Sequence, residues 1–184
     1  MAGTDRSNRA QRRTPARPGR RIAEIGVAVA LSLVLGFLSF VPFPQGGQVS
    51  LDMVPLILLA RLRGLGTGVL AGVSYGLLHA LQEPIVVHPV QGLLDYPVAF
   101  GLLGLAGALP AGPRWDLPGV ALAVAARLGT HVLSGVLFLH LFLPVEQLPA
   151  RPVVYSLLYN AGYLVPAGLL AGLFVPLLAR GARR

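Results

Sequence analysis

Asp95 is an ionisable residue inside an apolar stretch, QGLLDYPVAF, that covers residues 91–100. A carboxylate at bilayer depth costs about 2.5–3.5 kcal/mol on insertion scales, which favours a functional role. Two later apolar segments carry His131 and the pair Tyr155 and Asn160. Carboxylate, imidazole, carboxamide and phenol groups together suit a small cation with hydrogen-bonding edges. The alternative for Asp95 is a helix cap or an interfacial position.

The spacing of these residues places some of them on common helix faces. Gln91 and Asp95 are four residues apart and share a face, as do His131 and Gly135. A glycine one turn from a histidine leaves room for a flat ligand. Together with Tyr155 and Asn160, these residues place Asp, His, Asn and Tyr side chains from three separate helices in the outer half of the membrane, which indicates a binding cavity open to the outside.

Tyr155 and Asn160 are five residues apart, so a regular helix does not place them on one face. Either both flank the site, or the helix start is irregular. Each residue also has a structural alternative. A membrane histidine such as His131 often makes a helix–helix hydrogen bond, Asn160 can hold helices together, and Tyr155 fits an interfacial aromatic belt.

The composition is that of a polytopic membrane protein. The 184 residues are 54% hydrophobic and only 12% charged. The absence of cysteine excludes disulfides and thiolate metal sites. All 15 basic residues are Arg, so there is no Walker A lysine, and if the protein is driven by ATP the ATPase lies on another chain. Of these, seven lie in the first 21 residues and three in the last five, a distribution that favours membrane-flanking ends over nucleic acid.

The hydrophobic pattern predicts an all-α membrane protein with six transmembrane helices. Residues 1–21 are predicted to be a disordered Arg-rich tail, and residues 22–184 form one membrane domain. The spans are predicted at 22–41, 52–60, 64–82, 90–109, 118–142 and 152–179. The second piece is too short to cross, unless its Asp52 end lies at the outer interface or in a protein-lined pocket.

Arginine is concentrated in alternate connections, which predicts that both termini are cytoplasmic. Arg61, Arg63 and Arg114 fall in inner segments, whereas the outer loops contain only Arg151. Arg127, in the inner half of the fifth span, is expected to extend toward the inner surface.

A catalytic role has weaker support. The chain contains neither H-E-x-x-H nor G-x-S-x-G, and Ser134 near His131 is no nucleophile–base pair by adjacency alone. No catalytic residue, metal or cofactor is predicted. The alternatives from other classes are a small membrane enzyme using Asp95 and His131, or a channel-like oligomer.

Four pieces of the chain carry a resemblance to a known family. They are PQGGQVSLDMVPLILLARLRG, HPVQGLLDYPVAFGLLGLAG, the H-x-x-x-G of His131 and Gly135, and PVVYSLLYNAGYL. The chain resembles the thiamine-specific S component (ThiT type) of energy-coupling factor (ECF) transporters, from residue 22 onward. The resemblance implies a multi-pass protein of the bacterial plasma membrane that binds thiamine on the extracellular side. It also implies docking on a T subunit that carries two ATPase subunits.

The resemblance also assigns roles to particular residues. Asp95 takes the place of an acidic ligand contact that is often Glu, and Tyr96 follows it as in the family. Gly26 and Ala30 sit where the family has the small-residue motif that meets the T subunit. The remaining ligand contacts match His131 and Gly135, with Tyr155 and Asn160 on the aminopyrimidine side. Gln91 is a further candidate ligand contact, because it shares a helix face with Asp95.

The chain departs from the family pattern in its tryptophans. Some members have one in the first outer loop, where this chain has Gly46 and Gly47, and one at the position of Leu139. Other rings must then stack on the ligand, and the candidates are Tyr75, Tyr96, Tyr159 and His131. A ligand other than thiamine, either another flat vitamin or a thiamine precursor, is the alternative within the family.

Overall fold

The computed structural model describes residues 18–43, 46–82 and 85–184. Its main elements are six helices, which confirms the predicted all-α architecture. In chain order they are α1 (Pro18–Phe37), α2 (Met53–Arg63), α3 (Leu65–Gln82), α4 (Pro89–Ala108), α5 (Asp116–Phe142) and α6 (Pro152–Ala182). Short 3-10 turns at Pro113–Trp115 and Val145–Gln147 lie before and after α5.

The first helix begins before the predicted boundary at residue 22. Residues 18–21 belong to α1, where Arg20 forms a 3.0 Å ion pair with Glu24 one turn later. Such a pair four residues apart stabilises the start of a helix. The rest of the predicted tail, residues 1–17, lies outside the described residues.

α2 is a short helix inside the protein. Its 11 residues extend about 16 Å, roughly half the hydrocarbon thickness. Most of its side chains are buried, and Asp52, which precedes it, is also buried. Of the two alternatives given for Asp52, the structure shows the protein-lined surroundings.

α4 changes its helical winding along its length. An α-helical turn at Pro89–Leu93 is followed by a π-helical turn at Leu94–Val98, one α-helical turn and a 3-10 segment at Leu102–Ala108. Pro97 lies in the π turn and has no N–H to donate to the preceding turn. π turns inside helices are frequent at functional sites, and this one contains Asp95.

α3 and α4 approach each other through glycines. A Cβ atom at Gly72 would overlap the carbonyl oxygen of Phe100, and one at Gly76 would lie 2.6 Å from the carbonyl oxygen of Tyr96. Because no side chain separates the two backbones, α3 packs directly against the part of α4 that carries Asp95.

The connection between α1 and α2 folds back as a small hairpin. Val41–Pro42 and Gln48–Val49 pair as antiparallel two-residue strands. The backbone at Gly47 lies against the ring of Tyr163 on α6, with no room for a Cβ atom. This contact packs the hairpin against the N-terminal half of α6.

Within the part of the chain that the structure describes, three helical stretches are long and apolar enough to cross a membrane: Pro89–Ala108, Pro113–Phe142 and Pro152–Ala182. α1 and α3 are not among these stretches. α1 carries three charged residues in its first two turns, and α3 is 18 residues long and contains several glycines. Exposed leucines and valines cover the outer faces of α1, α3, α5 and α6. Lipid contact accounts for such a surface, so the chain is a multi-pass membrane protein.

A buried ion cluster holds the opposite end of the bundle. Arg61 donates to Asp116 at 3.0 Å and to the backbone carbonyl oxygens of Ala106, Leu109 and Pro110. Arg183 donates to both oxygens of Asp116 at 2.7 and 2.8 Å, and these hydrogen bonds raise the pKa of its guanidinium. Arg61 thus closes the C-terminal end of α4 from inside the protein.

Candidate functional site

A polar cavity lies between the hairpin and helices α3 to α6. Seven of the eight residues predicted as ligand contacts line it: Gln91, Asp95, Tyr96, His131, Gly135, Tyr155 and Asn160. They come from three separate helices. The structure therefore gathers residues up to 69 positions apart in sequence into one site.

Asp95 is the centre of the hydrogen bonds in this cavity. Its Oδ2 accepts from Gln91 Nε2 at 2.7 Å and from the Ser134 hydroxyl at 2.8 Å. Its Oδ1 lies 2.9 Å from His131 Nδ1. The carboxylate therefore joins α4 to α5 through side-chain partners, and these hydrogen bonds are not those of a helix cap, which accepts from backbone N–H groups.

Gln91 links this carboxylate to the loop before α4. It accepts from the backbone N–H of Val87 at 3.0 Å and donates to the carbonyl oxygen of Ile85 at 3.2 Å. The Tyr96 hydroxyl accepts from the backbone N–H of Ile85 at 3.0 Å. These contacts fix the loop at residues 85–88 beside the cavity.

Arg127 faces the cavity, so its expected extension toward the inner surface is wrong. Its Nε donates to His131 Nε2 at 3.3 Å, and its Cζ lies 3.8 Å from the ring centroid of Phe100. A cation–π contact and a polar cavity hold the guanidinium inside the bundle. The position of a residue in a span fixes the depth of its backbone, but contacts with the surrounding residues determine the direction in which a long side chain extends.

α6 contributes a ladder of polar and aromatic groups. The Asn160 carboxamide donates to Ser156 and accepts from the Tyr163 hydroxyl at 2.7 Å. The rings of Tyr155 and Tyr159 stack at 6.3 Å. Tyr155 and Asn160 flank the site on a regular helix, which answers the question raised by their five-residue spacing.

Tyr75 is the predicted contact that does not line the cavity. It is fully buried behind Asp52, to which its hydroxyl donates at 3.0 Å. Ser50 donates to the other oxygen of Asp52 at 2.6 Å. His79, whose ring stacks on Tyr75 at 5.5 Å, lines the cavity in its place. Tyr75 therefore positions groups of the site and has no surface for a ligand.

Gly135 lines the cavity, but the space over its backbone is shared with α6. A Cβ atom there would overlap the Ser156 hydroxyl. The glycine therefore allows α5 and α6 to approach closely beside the cavity, in addition to leaving room for a ligand.

Further lining residues were not predicted from the sequence: His79, Arg127, Ser134, Ser156 and Tyr163. Spacing held a signal for all five, because each lies three or four residues from a predicted contact on the same helix and so shares a helix face with it. Ser134 and Arg127 lie three and four residues from His131, Tyr163 and Ser156 lie three and four residues from Asn160, and His79 lies four residues after Tyr75.

The charges of the cavity are unequal. Asp52 and Asp95 are formally negative and Arg127 is positive, so the charged groups that line it sum to −1 with neutral histidines. A cavity between helices with this charge favours a ligand carrying one positive charge.

The two residues predicted for docking lie on the outer face of α1. Gly26 and Ala30 are exposed, and nothing comes within 4 Å of a Cβ atom built on Gly26. Beside them is an apolar groove between α1 and α2, with the Glu24–Arg63 ion pair at its rim. This face is available to another helix.

A six-helix membrane bundle with an anionic cavity between its helices defines a membrane-embedded ligand-binding protein. The model of the thiamine transporter protein family, Thia_YuaJ, matches residues 22–184. The chain belongs to this family. Its members are transporters, so the enzyme alternative is not supported.

Curated relatives agree with the family match. The thiamine transporter ThiT of Bacillus subtilis is 33% identical over 89% of this chain and 92% of its own length. The ThiT of Lacticaseibacillus paracasei is 27% identical over 77% of each chain.

Solved structures share the fold. ThiT from Listeria monocytogenes superposes with a TM-score of 0.76 at 22% identity, covering 89% of this chain and 95% of that one. The S component of a bacterial ECF transporter superposes with a TM-score of 0.61 at 20% identity, covering 91% and 97%. The likeness extends over nearly the whole length of both.

Proposed function

We propose that the chain is the substrate-capture (S) subunit of an ECF-type importer and that it binds thiamine in the cavity described above. The charge of that cavity carries the proposal. Thiamine is a flat molecule with one positive charge, on its thiazolium ring, and the cavity's formal charge of −1 complements it.

Different lining residues have different roles in binding the ligand. Asp95 offsets the ligand's charge from a fixed position, because three hydrogen bonds hold its carboxylate. The rings of Tyr155 and Tyr159 offer faces for stacking on a cationic heterocycle. Asn160 and His131 supply polar edges. With glycines at Gly46 and Gly47, the hairpin adds backbone to the cavity and no ring.

Calorimetric titration of thiamine into detergent-purified protein tests the proposal, with Asp95→Asn measured beside it. We expect tight binding by the native protein and a loss of at least about tenfold in the variant, because it leaves the ligand's charge uncompensated. Glu146→Gln is the matched control, since Glu146 is exposed outside the cavity. If the Asp95→Asn variant still binds thiamine tightly, Asp95 has a structural role and does not bind the ligand. No binding by the native protein points to another flat vitamin or a precursor.

We further infer that both termini are cytoplasmic and that the cavity opens outward. Arginine in the first 21 residues, at the buried-ion-cluster end and in the last five residues supports this orientation. The energy for transport then comes from two ATPase subunits on separate chains, coupled through a T subunit.

The T subunit docks on α1 at Gly26 and Ala30 in this proposal. Small residues four apart on an exposed face let a partner helix approach closely. Replacing both with Leu is expected to abolish copurification with the T subunit and the ATPases, and to leave thiamine binding intact. Ala125→Leu with Gly129→Leu is the matched control, because these are also small, exposed and four residues apart, on α5. Normal assembly of the α1 variant rejects this docking surface.

A further inference from the structure

We propose that the groove between α1 and α2 binds an anionic phospholipid, with the phosphate at a rim of arginines and one acyl chain along the apolar walls. The groove shares no lining residue with the polar cavity, and Gly26 and Ala30 do not line it. The proposal therefore depends neither on the identity of the transported ligand nor on the docking surface proposed above.

The groove has a charged end and an apolar end. Arg20 and Glu24, in the first two turns of α1, and Arg63, at the end of α2, line the charged end. The other lining side chains belong to Ala, Val, Leu and Pro. The volume is about 410 Å³, which is in the range of sites for small organic molecules. An amphipathic molecule with a polar head and an apolar tail matches this division.

The length of the groove corresponds to one leaflet of a bilayer. From Arg20 to Leu31, the part of α1 that lines it extends about 16 Å along the helix axis. The hydrocarbon core of a bilayer is about 30 Å thick, so one leaflet contributes about 15 Å. The second wall is short because α2 has only 11 residues. A lipid with its phosphate at the charged end therefore keeps its acyl chain at the depth that the chain has in the bilayer.

The apolar part of the groove is open to lipid from the side. Val27 and Leu31 on its α1 wall are 61% and 51% exposed, and Pro55 and Leu58 form part of the α2 wall. Inside a bilayer, van der Waals packing rather than water exclusion decides which apolar surfaces associate. An acyl chain between two walls makes more such contacts than a chain on one helix face.

The rim carries one formal positive charge. Glu24 accepts from Arg63 at 2.6 and 2.7 Å and from Arg20 at 3.0 Å. Two arginines against one glutamate leave a formal charge of +1, which is opposite to that of a phosphodiester. The charge of the rim therefore favours an anionic phospholipid over a zwitterionic one.

Glu24 orients the two guanidinium groups and leaves some of their N–H donors for an external acceptor. Arg20 uses Nε, and Arg63 uses Nε and Nη2. Within the part of the chain that the structure describes, neither amino group of Arg20 nor Nη1 of Arg63 makes a hydrogen bond. Guanidinium groups match the geometry of phosphate oxygens. Since an ion pair already holds both arginines, less conformational freedom is lost when a phosphate binds.

The experiment measures tryptophan fluorescence in vesicles, because the chain has only one tryptophan, Trp115. In a Trp115→Phe background, Val27→Trp places the reporter in the groove. Leu122→Trp is the matched control: it is exposed on α5 and lies six residues from the end at Asp116. The vesicles are phosphatidylcholine, in which part of the lipid is brominated phosphatidylglycerol or brominated phosphatidylcholine. Brominated chains quench a tryptophan on contact, so the ratio of the two quenching strengths measures the preference for the anionic lipid.

We expect phosphatidylglycerol to quench Val27→Trp about threefold to tenfold more strongly than phosphatidylcholine at low salt, and both lipids to quench Leu122→Trp about equally. Combining Arg20→Gln with Arg63→Gln should bring the ratio in the groove close to one. Combining Arg20→Lys with Arg63→Lys keeps both charges and should retain part of the preference, because an ammonium group cannot donate two parallel hydrogen bonds.

Arg180→Gln with Arg184→Gln is the control for general surface charge, because it removes two exposed arginines at the end of α6. The ratio at Val27→Trp should not change in this variant. If it falls as far as in the Arg20 and Arg63 variant, or if Leu122→Trp shows the same preference, the lipid is attracted to a basic surface and the proposal is overturned.

Equal quenching of Val27→Trp by the two lipids also overturns the proposal and leaves the groove to a helix of a partner subunit. If the glutamine variant does not reconstitute, salt decides the question in the protein with intact arginines. The preference should then fall in about 0.5 M salt, which screens the exposed rim. A preference that salt leaves unchanged does not come from the arginines and contradicts the site.

Discussion

His131 Nδ1 lies 2.9 Å from Asp95 Oδ1, and this contact joins two helices across 36 residues of sequence. Arg127 donates to the other ring nitrogen of His131 at 3.3 Å. Because that nitrogen accepts, the proton of a neutral imidazole is on Nδ1, from which it is donated to Asp95. The order Arg127, His131, Asp95 therefore fixes both the tautomer and the position of the carboxylate.

Ser134→Ala is expected to weaken thiamine binding about three- to tenfold. The hydroxyl is one of the two donors to Asp95 Oδ2, and a hydrogen bond to a charged group contributes about 1.5–3 kcal/mol, part of which the remaining donors preserve. The measurement is a calorimetric titration. Ser32→Ala is the control, because the buried Ser32 hydroxyl has no hydrogen-bond partner among the described residues. An unchanged affinity in Ser134→Ala contradicts the role given to the network.

The centre of this network could be predicted because ionisable and polar groups stand out in apolar spans. Asp95, His131 and Asn160 each interrupt a hydrophobic run, and the energetic cost of doing so marks them as functional or paired. Helical periodicity then predicted which residues share a helix face with them. The structure shows that the same groups bind one another within the protein.

The face that each helix turns toward the cavity, and the direction in which a long side chain extends, were not predictable in this way. Arg127 extends to the cavity because His131, one turn later on α5, and Phe100 on α4 hold it, and the contact with Phe100 is not encoded in the span of Arg127. Tyr75 has the right depth but lies behind Asp52. The π turn around Asp95 was missed, although Pro97 two residues later was its signal.

Tyr75→Phe is expected to lower the thermal stability of the protein. The variant removes the hydroxyl that donates to Asp52 at 3.0 Å and leaves a buried carboxylate oxygen without that partner. Such a loss costs about 1–3 kcal/mol, which shifts the midpoint by several degrees. The measurement is the unfolding midpoint in detergent without ligand. A midpoint equal to that of the native protein means that Asp52 finds another donor.

Gly72→Ala is expected to destabilise the protein strongly, because the added methyl group overlaps the backbone of α4 at Phe100. Overpacking of this kind typically costs about 1–3 kcal/mol. Gly129→Ala is the matched control: it lies in a helix with nothing within 4 Å of its Cβ position. The control is expected to be neutral or stabilising, since alanine is the better helix former. Similar midpoints for the two variants argue against the close approach of α3 and α4.

Two interhelical ion pairs of the protein differ in burial, and their removal should differ accordingly. Asp116→Asn breaks the pair with Arg61, whose side chains are 1% and 0% exposed. It also removes the partner of Arg183. Removing one partner of a buried pair leaves an uncompensated charge and costs about 3–5 kcal/mol. We expect a large drop in the unfolding midpoint.

Glu24→Gln provides the comparison, because the Glu24–Arg63 pair is partly exposed, at 22% and 39%. Exposed pairs contribute about 1 kcal/mol or less. The expected drop is therefore small, and 1 M salt should reduce the difference from the native protein further. The Asp116→Asn deficit should persist in the same salt, because buried charges are poorly screened. A deficit that salt removes from both variants shows that Asp116 is accessible to water, and the cluster at Arg61 then does not close the bundle.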